Sequence, residues 1–108
     1  MTLDIWRGAS YILPVIRTFK DRHTEDFWNG ENVRRFESIK GVALRKLDML
    51  NTAARLGDLR VPIGNRLEAL KGGRRGQHSI RINDQWRVCF VWTQDGPAEV
   101  EITKHYGD

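Results

Sequence analysis

The spacing of apolar residues changes along the chain, from a helical period before Pro62 to an alternating one after it. Between residues 39 and 54, apolar side chains recur every three or four positions, which predicts one amphipathic helix. We expect Ser38 to cap the amino end of this helix and Gly57 to end it.

A short helix and a short strand are predicted nearer the amino terminus. Thr24 is a suitable N-cap, and the acidic residues that follow it complement the dipole of a first helical turn. Asn29 and Gly30 then end this helix early. Residues 17–20 are predicted to form a short strand before this helix.

The second half of the chain predicts an antiparallel sheet. The apolar run from Val88 to Trp92 predicts a central strand that is covered on both faces. The predicted strands occupy residues 66–71, 78–83, 86–93 and 98–106, and turns connect them. The chain is therefore expected to be an α+β domain in which an antiparallel sheet of about four strands packs against two N-terminal helices.

The register of the sheet can be predicted from burial. A three-residue turn at residues 83–85 places Ile82 opposite Trp86, which keeps the apolar side chains on one face. Arg81 then lies opposite Arg87 on the other face, which we expect to be open. Two like charges facing each other cost stability, so this pair suggests a role other than folding. Alternation places further residues of the last strand on the same face: Glu99, Glu101, Thr103 and His105.

The composition is that of a small basic domain. The chain has 108 residues, a net charge of +4 and one cysteine, so it cannot form an internal disulfide. No apolar run approaches the ~20 residues of a membrane span, and no secretory signal pattern is visible, so we expect a cytoplasmic protein. Cys89 is predicted to be a buried thiol, and no metal-ligand spacing is present, so no metal or cofactor is expected.

The positive charge is concentrated between residues 60 and 87, where seven basic side chains stand against two acidic ones. Six of these seven are arginines, which suit phosphate, so RNA or DNA is the expected partner. Three functions fit this charge: an endoribonuclease, a non-catalytic RNA- or DNA-binding module, and a domain that binds an acidic protein segment. A basic surface with no partner is the alternative to all three.

Cleavage of RNA without a metal needs cations that stabilise the transition state and groups that transfer protons. The candidate cations are Lys71, Arg81 and Arg87. The candidate proton-transfer groups are Glu68, His105 and Tyr106. Further RNA contacts are expected from Arg66, Arg74, Arg75, Arg81 and Lys104.

Several motifs together resemble the HigB-type toxins of bacterial toxin–antitoxin systems. They are Leu-Lys-Gly at residues 70–72, Ser-Ile-Arg at 79–81, Trp-Arg at 86–87 and Val-Glu-Ile-Thr-Lys-His-Tyr at 100–106. The resemblance covers about residues 15–107 and implies a RelE-like fold and cleavage of mRNA on the ribosome without a metal. It also implies a helix-turn-helix antitoxin of the HigA type, and binding of operator DNA by the toxin–antitoxin complex.

The resemblance also assigns roles to individual residues. Lys71 and Arg87 match the phosphate-contacting residues of the family, and Glu68 stands where some members have a histidine. His105 and Tyr106 match the C-terminal pair, although many members have the order aspartate-tyrosine-histidine, so it stays open which group transfers the proton.

The toxin domain is expected to span residues 15–108, with residues 1–14 as an N-terminal extension that adds little to folding. Because the recognisable pattern starts directly after this extension, we expect translation to begin close to residue 15.

Overall fold

The computed structural model describes residues 15–104 and arranges them as two α-helices and a four-stranded antiparallel sheet. The helices are α1 (Arg22–Trp28) and α2 (Lys40–Thr52). The strands are β1 (Glu68–Ala69), β2 (His78–Arg81), β3 (Arg87–Thr93) and β4 (Gly96–Thr103), and they lie in this order in the sheet. The predicted fold class is confirmed. The proposed extension and the two C-terminal candidates, His105 and Tyr106, lie outside the described residues.

The predicted first strand is reduced to a single bridge. Phe19 forms an isolated parallel bridge with Val100, and the Arg17 amide donates a 2.8 Å hydrogen bond to the carbonyl of Pro97. This segment therefore pairs with the outer edge of β4, where it occupies backbone groups that an edge strand would otherwise leave free. The backbones approach so closely that a Cβ on Gly96 would lie 2.3 Å from the carbonyl oxygen of Val15.

The hairpin between β2 and β3 has the predicted register. Ile80 pairs with Val88, and Arg81 pairs with Arg87. The side chain of Asn83 fixes the turn, because its Oδ1 atom accepts hydrogen bonds of 2.8 Å from the amides of both Gln85 and Trp86.

Both predicted N-caps are wrong, whereas α1 ends at Asn29 as predicted. The N-cap of α1 is Asp21, and Thr24 lies inside the helix, fully buried. Its hydroxyl accepts a 3.1 Å hydrogen bond from the amide of Ile102, so it satisfies a buried donor of β4 instead of a helix end. Ser38 belongs to a 3-10 helix, Arg34–Ile39, that leads directly into α2.

The long helix also ends earlier than Gly57. Its last residue is Thr52, and Ala53 has an extended backbone, with ψ 131°. The carboxylate of Asp58 accepts hydrogen bonds from the amides of Ala54 and Arg55, at 3.0 and 3.2 Å. These bonds start a separate 3-10 helix, Leu56–Arg60, so the chain changes direction before the apolar pattern ends.

The core lies between the helices and one face of the sheet. Phe36 links the two layers, because its ring makes edge contacts with Phe27 at 5.3 Å and with Trp86 at 5.6 Å. Trp86 is buried as predicted, whereas Trp92 is only partly buried against the core. The fully buried aliphatic residues of α2 and the sheet complete this core: Ala43, Leu47, Leu50, Ile80, Val88 and Val100.

A bulge interrupts the alternation of β4. Thr103 pairs with Arg87 and Glu101 pairs with Cys89, which places both on the predicted face, but the register shifts between Cys89 and Val91. Glu99 lies at this shift with φ 53°, and its amide donates a 2.8 Å hydrogen bond to Oγ1 of Thr18. The prediction that places Glu99 on the arginine face is therefore wrong, because the extra residue breaks the alternation. Within residues 15–104, no helix has both the length and the apolar character needed to cross a membrane.

Candidate active site

The sheet face opposite the helices brings together the two arginines that the register predicts to be neighbours. Arg81 pairs with Arg87 across β2 and β3, and Arg87 pairs with Thr103 of β4 on its other side. Arg81 also forms an ion pair with Asp84 of the hairpin turn, whose side chain is exposed.

Arg87 is a buried cation, with only 7% of its surface exposed. Its Nη2 atom donates a 2.8 Å hydrogen bond to the carbonyl of Arg66 and lies 3.4 Å from Oε1 of Glu68. A buried guanidinium must be matched by acceptors, because the loss of hydration is otherwise too costly. These contacts hold Arg87 in one orientation beside the half-exposed carboxylate of Glu68. We call Arg66, Glu68, Arg81 and Arg87 the Arg87 site.

The loop that supplies the Arg66 carbonyl is held by a buried asparagine. Asn65 has no exposed surface, and its Nδ2 atom donates to the carbonyls of Leu59 and Val61, at 3.1 and 3.4 Å. Its Oδ1 atom accepts a 2.6 Å hydrogen bond from Nζ of Lys46 on α2. The next residue, Arg66, has a left-handed backbone with φ 46°, which turns the chain into β1.

Lys46 and Asn65 position the loop that carries the Arg66 carbonyl, and the sequence did not predict this role. Burial lowers the pKa of Lys46, and the nearby charges of Arg45 and Arg81 lower it further. A lysine on a helix flank and an asparagine in a turn are both common on surfaces. The only signal in the sequence is the position of Asn65, directly before a candidate arginine.

The basic loop at residues 72–76 folds over part of the arginine face. Nη1 of Arg74 lies 3.1 Å from Oε1 of Glu101, and it also donates a 3.0 Å hydrogen bond to Oε1 of Gln77. The side chains of Arg74 and Glu101 are each 19% exposed. The expectation of an open face is therefore wrong here, and Arg74 holds the loop against the sheet.

Cys89 lies below this ion pair and has no exposed surface, as predicted for a buried thiol. Burial raises its pKa from 9.0 to about 11, and the charge of Glu101 adds to the rise, while Arg74 and Arg87 oppose it. The thiol therefore stays protonated at neutral pH.

The remaining candidates lie at different parts of the surface. Lys71 is exposed, directly before a 3-10 turn, Gly72–Arg74, and Arg75 is exposed directly after it. The ammonium of Lys104 lies 5.1 Å from the ring centre of Trp86, a core residue. Lys104 thus contacts a side chain that belongs to the other face of the sheet from Arg87.

Within residues 15–104, no three His, Cys, Asp or Glu side chains are grouped so that they could hold a metal ion.

Comparison with known proteins finds the same family along most of the chain. The family model described as "RelE-like toxin of type II toxin-antitoxin system HigB" matches residues 17–106. Toxin HigB-1 of Vibrio cholerae serotype O1 is 43% identical over 82 residues, which span 74% of this chain and 85% of that toxin.

Two solved structures from Staphylococcus aureus have a similar fold. The YoeB–YefM complex contains a chain with a TM-score of 0.53 and 21% identity, over 86% of this chain and 98% of that one. The YoeB dimer gives the same TM-score and identity, over 89% of this chain and 100% of that one.

We predict that Asn65→Ala lowers the free energy of unfolding by about 2–3 kcal/mol, because it leaves buried carbonyls and Lys46 without their partner. Urea unfolding measures this loss. The control is Asn32→Ala at an exposed position, which we expect to change stability by less than about 0.5 kcal/mol. Equal stability of the two variants would show that the asparagine does not hold the loop.

We predict that iodoacetamide alkylates Cys89 at pH 8 at least about 100-fold more slowly in the folded protein than in urea. The raised pKa, about 11 against 9.0, alone reduces the thiolate fraction by this factor, and burial slows access further. Mass spectrometry of timed samples measures both rates. Similar rates in the two states would contradict the described burial.

Proposed function

Because the chain belongs to the HigB-like family of RelE-like toxins from type II toxin–antitoxin systems, we propose that it is an endoribonuclease that cleaves mRNA on the ribosome without a metal. The observation that carries the proposal is the Arg87 site, where a buried guanidinium held by the Arg66 carbonyl lies 3.4 Å from the half-exposed carboxylate of Glu68.

The reaction that fits this site is attack of a ribose 2′-hydroxyl oxygen on the adjacent phosphorus. A P–O bond forms to the 2′-oxygen and the bond to the 5′-oxygen breaks, while the phosphorane-like transition state gains negative charge. A cation that is already fixed in place can stabilise this charge without reorganising, and Arg87 meets this condition. Arg81 and the exposed Lys71 are the proposed contacts to neighbouring phosphates.

Proton transfer needs a base for the 2′-hydroxyl and an acid for the 5′-oxygen. Glu68 is the described candidate for the base, because its carboxylate lies beside Arg87 and half of its side chain is exposed to a substrate. His105 and Tyr106 lie outside the described residues. We propose that one of them is the acid that protonates the 5′-oxygen.

We further propose that a helix-turn-helix antitoxin of the HigA type neutralises the chain and that the complex binds operator DNA. The YoeB–YefM complex supports the first part, since a protein of similar fold is held there by a second protein. The cytoplasm is the proposed location, because mRNA and ribosomes are found there.

We predict that Arg87→Ala abolishes growth arrest on induced expression and lowers the rate of mRNA cleavage on ribosomes by about 10²–10³-fold. The reason is the loss of the fixed cation at the phosphate. The control is Arg45→Ala on the exposed side of α2, which removes the same charge away from the site.

Near-ultraviolet circular dichroism and urea unfolding establish that the Arg87→Ala protein is folded. Full arrest and cleavage by the folded variant would refute the catalytic assignment. If the unchanged protein binds RNA with an affinity that falls as salt rises, but leaves the RNA intact, it is a non-catalytic binding module.

We predict that Glu68→Gln lowers the cleavage rate by about 10²–10⁴-fold. The amide keeps the size of the side chain and an oxygen for Arg87, but it cannot take up the proton. Glu37→Gln, at an exposed position before α2, is the control. A cleavage rate within about threefold of the unchanged protein's would refute the role of Glu68 as the base.

A further inference from the structure

We propose that a groove beside β1, which Glu68 shares with the Arg87 site, is the surface that docks the neutralising antitoxin. The inference rests on the proposed function for the identity of the partner. The groove has a volume of about 440 Å³. Its apolar lining comes from Leu56, Ile63, Leu67 and Ala69, and its polar lining comes from Arg60, Glu68 and His78. We call it the β1 groove.

The groove and the Arg87 site meet at β1, whose adjacent residues point to opposite faces of the sheet. Glu68 pairs with Ser79, on the face of Arg81 and Arg87, and its carboxylate contacts Arg87. The next residue, Ala69, pairs with His78, whose ring stacks on the core residue Phe90 at 6.3 Å. Glu68 thus lines the groove and also contacts Arg87, whereas Ala69 lines the groove and faces away from Arg87.

The groove opens next to the two most exposed large apolar side chains of the described residues. Ile63 is 87% exposed and Val61 is 74% exposed. They flank Pro62, in the loop that Asn65 fixes to α2 through Lys46, so both are displayed on a rigid support. Aliphatic side chains that are held in water in this way are typical of a protein-binding surface.

The backbone of β1 has a free edge in the described structure. Because the amide of Leu70 donates to the carbonyl of Gln77 at 2.9 Å, the alternating ladder turns the backbone groups of Leu67 and Ala69 away from β2. An extended segment of a partner can add to these groups while it places a side chain in the groove.

The charge around the groove favours an acidic protein segment. Arg60 lines the groove and Arg66 lies beside it, and both are exposed. The nearest carboxylates are already engaged, because Asp58 accepts from the amides of Ala54 and Arg55 and Glu68 contacts Arg87. A second copy of this chain would bring like charges together, and RNA has no aliphatic group to fill the groove. The occupant that fits is an antitoxin segment with an aliphatic side chain next to carboxylates.

The test measures binding of the purified antitoxin from the same operon to the full chain by titration calorimetry. Ile63→Asp is expected to weaken binding by about 30-fold or more, because it places a carboxylate at the apolar anchor. The fold should be unaffected, since this side chain is 87% exposed. Arg45→Asp on the outer side of α2 is the control, and its affinity should stay within about threefold of the unchanged protein's.

A second measurement, amide hydrogen exchange, tests whether the antitoxin pairs with the free backbone edge of β1. Amide hydrogen exchange of Leu67 and Ala69 is expected to slow in the complex, whereas the amides on the exposed side of α2 should not change. In cells, the Ile63→Asp toxin is expected to arrest growth even when the antitoxin is co-expressed.

The outcomes separate this inference from the proposed function. If Ile63→Asp binds the antitoxin as tightly as the unchanged protein, or if Ile63-dependent dimers form in sedimentation of the chain alone, the docking inference is overturned. Loss of antitoxin binding together with slowed exchange at the β1 edge supports it, whether or not the chain cleaves RNA. The ribonuclease assignment is judged separately, by Arg87→Ala.

Discussion

A buried guanidinium in a β-sheet is the constraint on which the rest of this structure depends. Arg87 has 7% of its surface exposed and needs acceptors that do not move. The Arg66 carbonyl is one, and it points at the guanidinium because this residue takes a left-handed backbone after Asn65. Asn65 is bound in turn by Lys46 of α2. The helix layer therefore fixes a cation on the far side of the sheet, through a loop and not through the core.

The two faces of the sheet use the same alternation for different chemistry. One face carries the apolar residues that pack on the helices, with Phe36 joining the layers. The other carries charged side chains, some of them engaged with each other, as Arg74 and Glu101 are. The two residues of β1 meet this division differently, because Glu68 contacts Arg87 and also lines the β1 groove, whereas Ala69 lines the groove alone. The proposed catalytic group therefore borders the proposed docking surface.

The sequence predicts those features that depend on period and burial, and it misses those that depend on distant partners. The register of Ile82 opposite Trp86 is correct, because any slip would bury charge. The prediction that Thr24 caps a helix is wrong because its hydroxyl accepts a hydrogen bond from a buried amide of β4, far away in the chain. Lys46 and Asn65 are missed for the same reason, since 19 residues separate them and neither has a local pattern. The grouping of the two arginines is predictable, whereas the scaffold that orients one of them is not.

The opposed arginines of β2 and β3 also have a thermodynamic consequence. Arg81 and Arg87 face each other in the ladder, and like charges in this position oppose folding. Asp84, the carboxylate that partners Arg81, is 93% exposed and easily exchanged for another anion. A bound polyanion would relieve the repulsion, and a ligand that prefers the native state raises its stability by mass action. The RNA binding that we propose would therefore be linked to folding, and it would raise the free energy of unfolding.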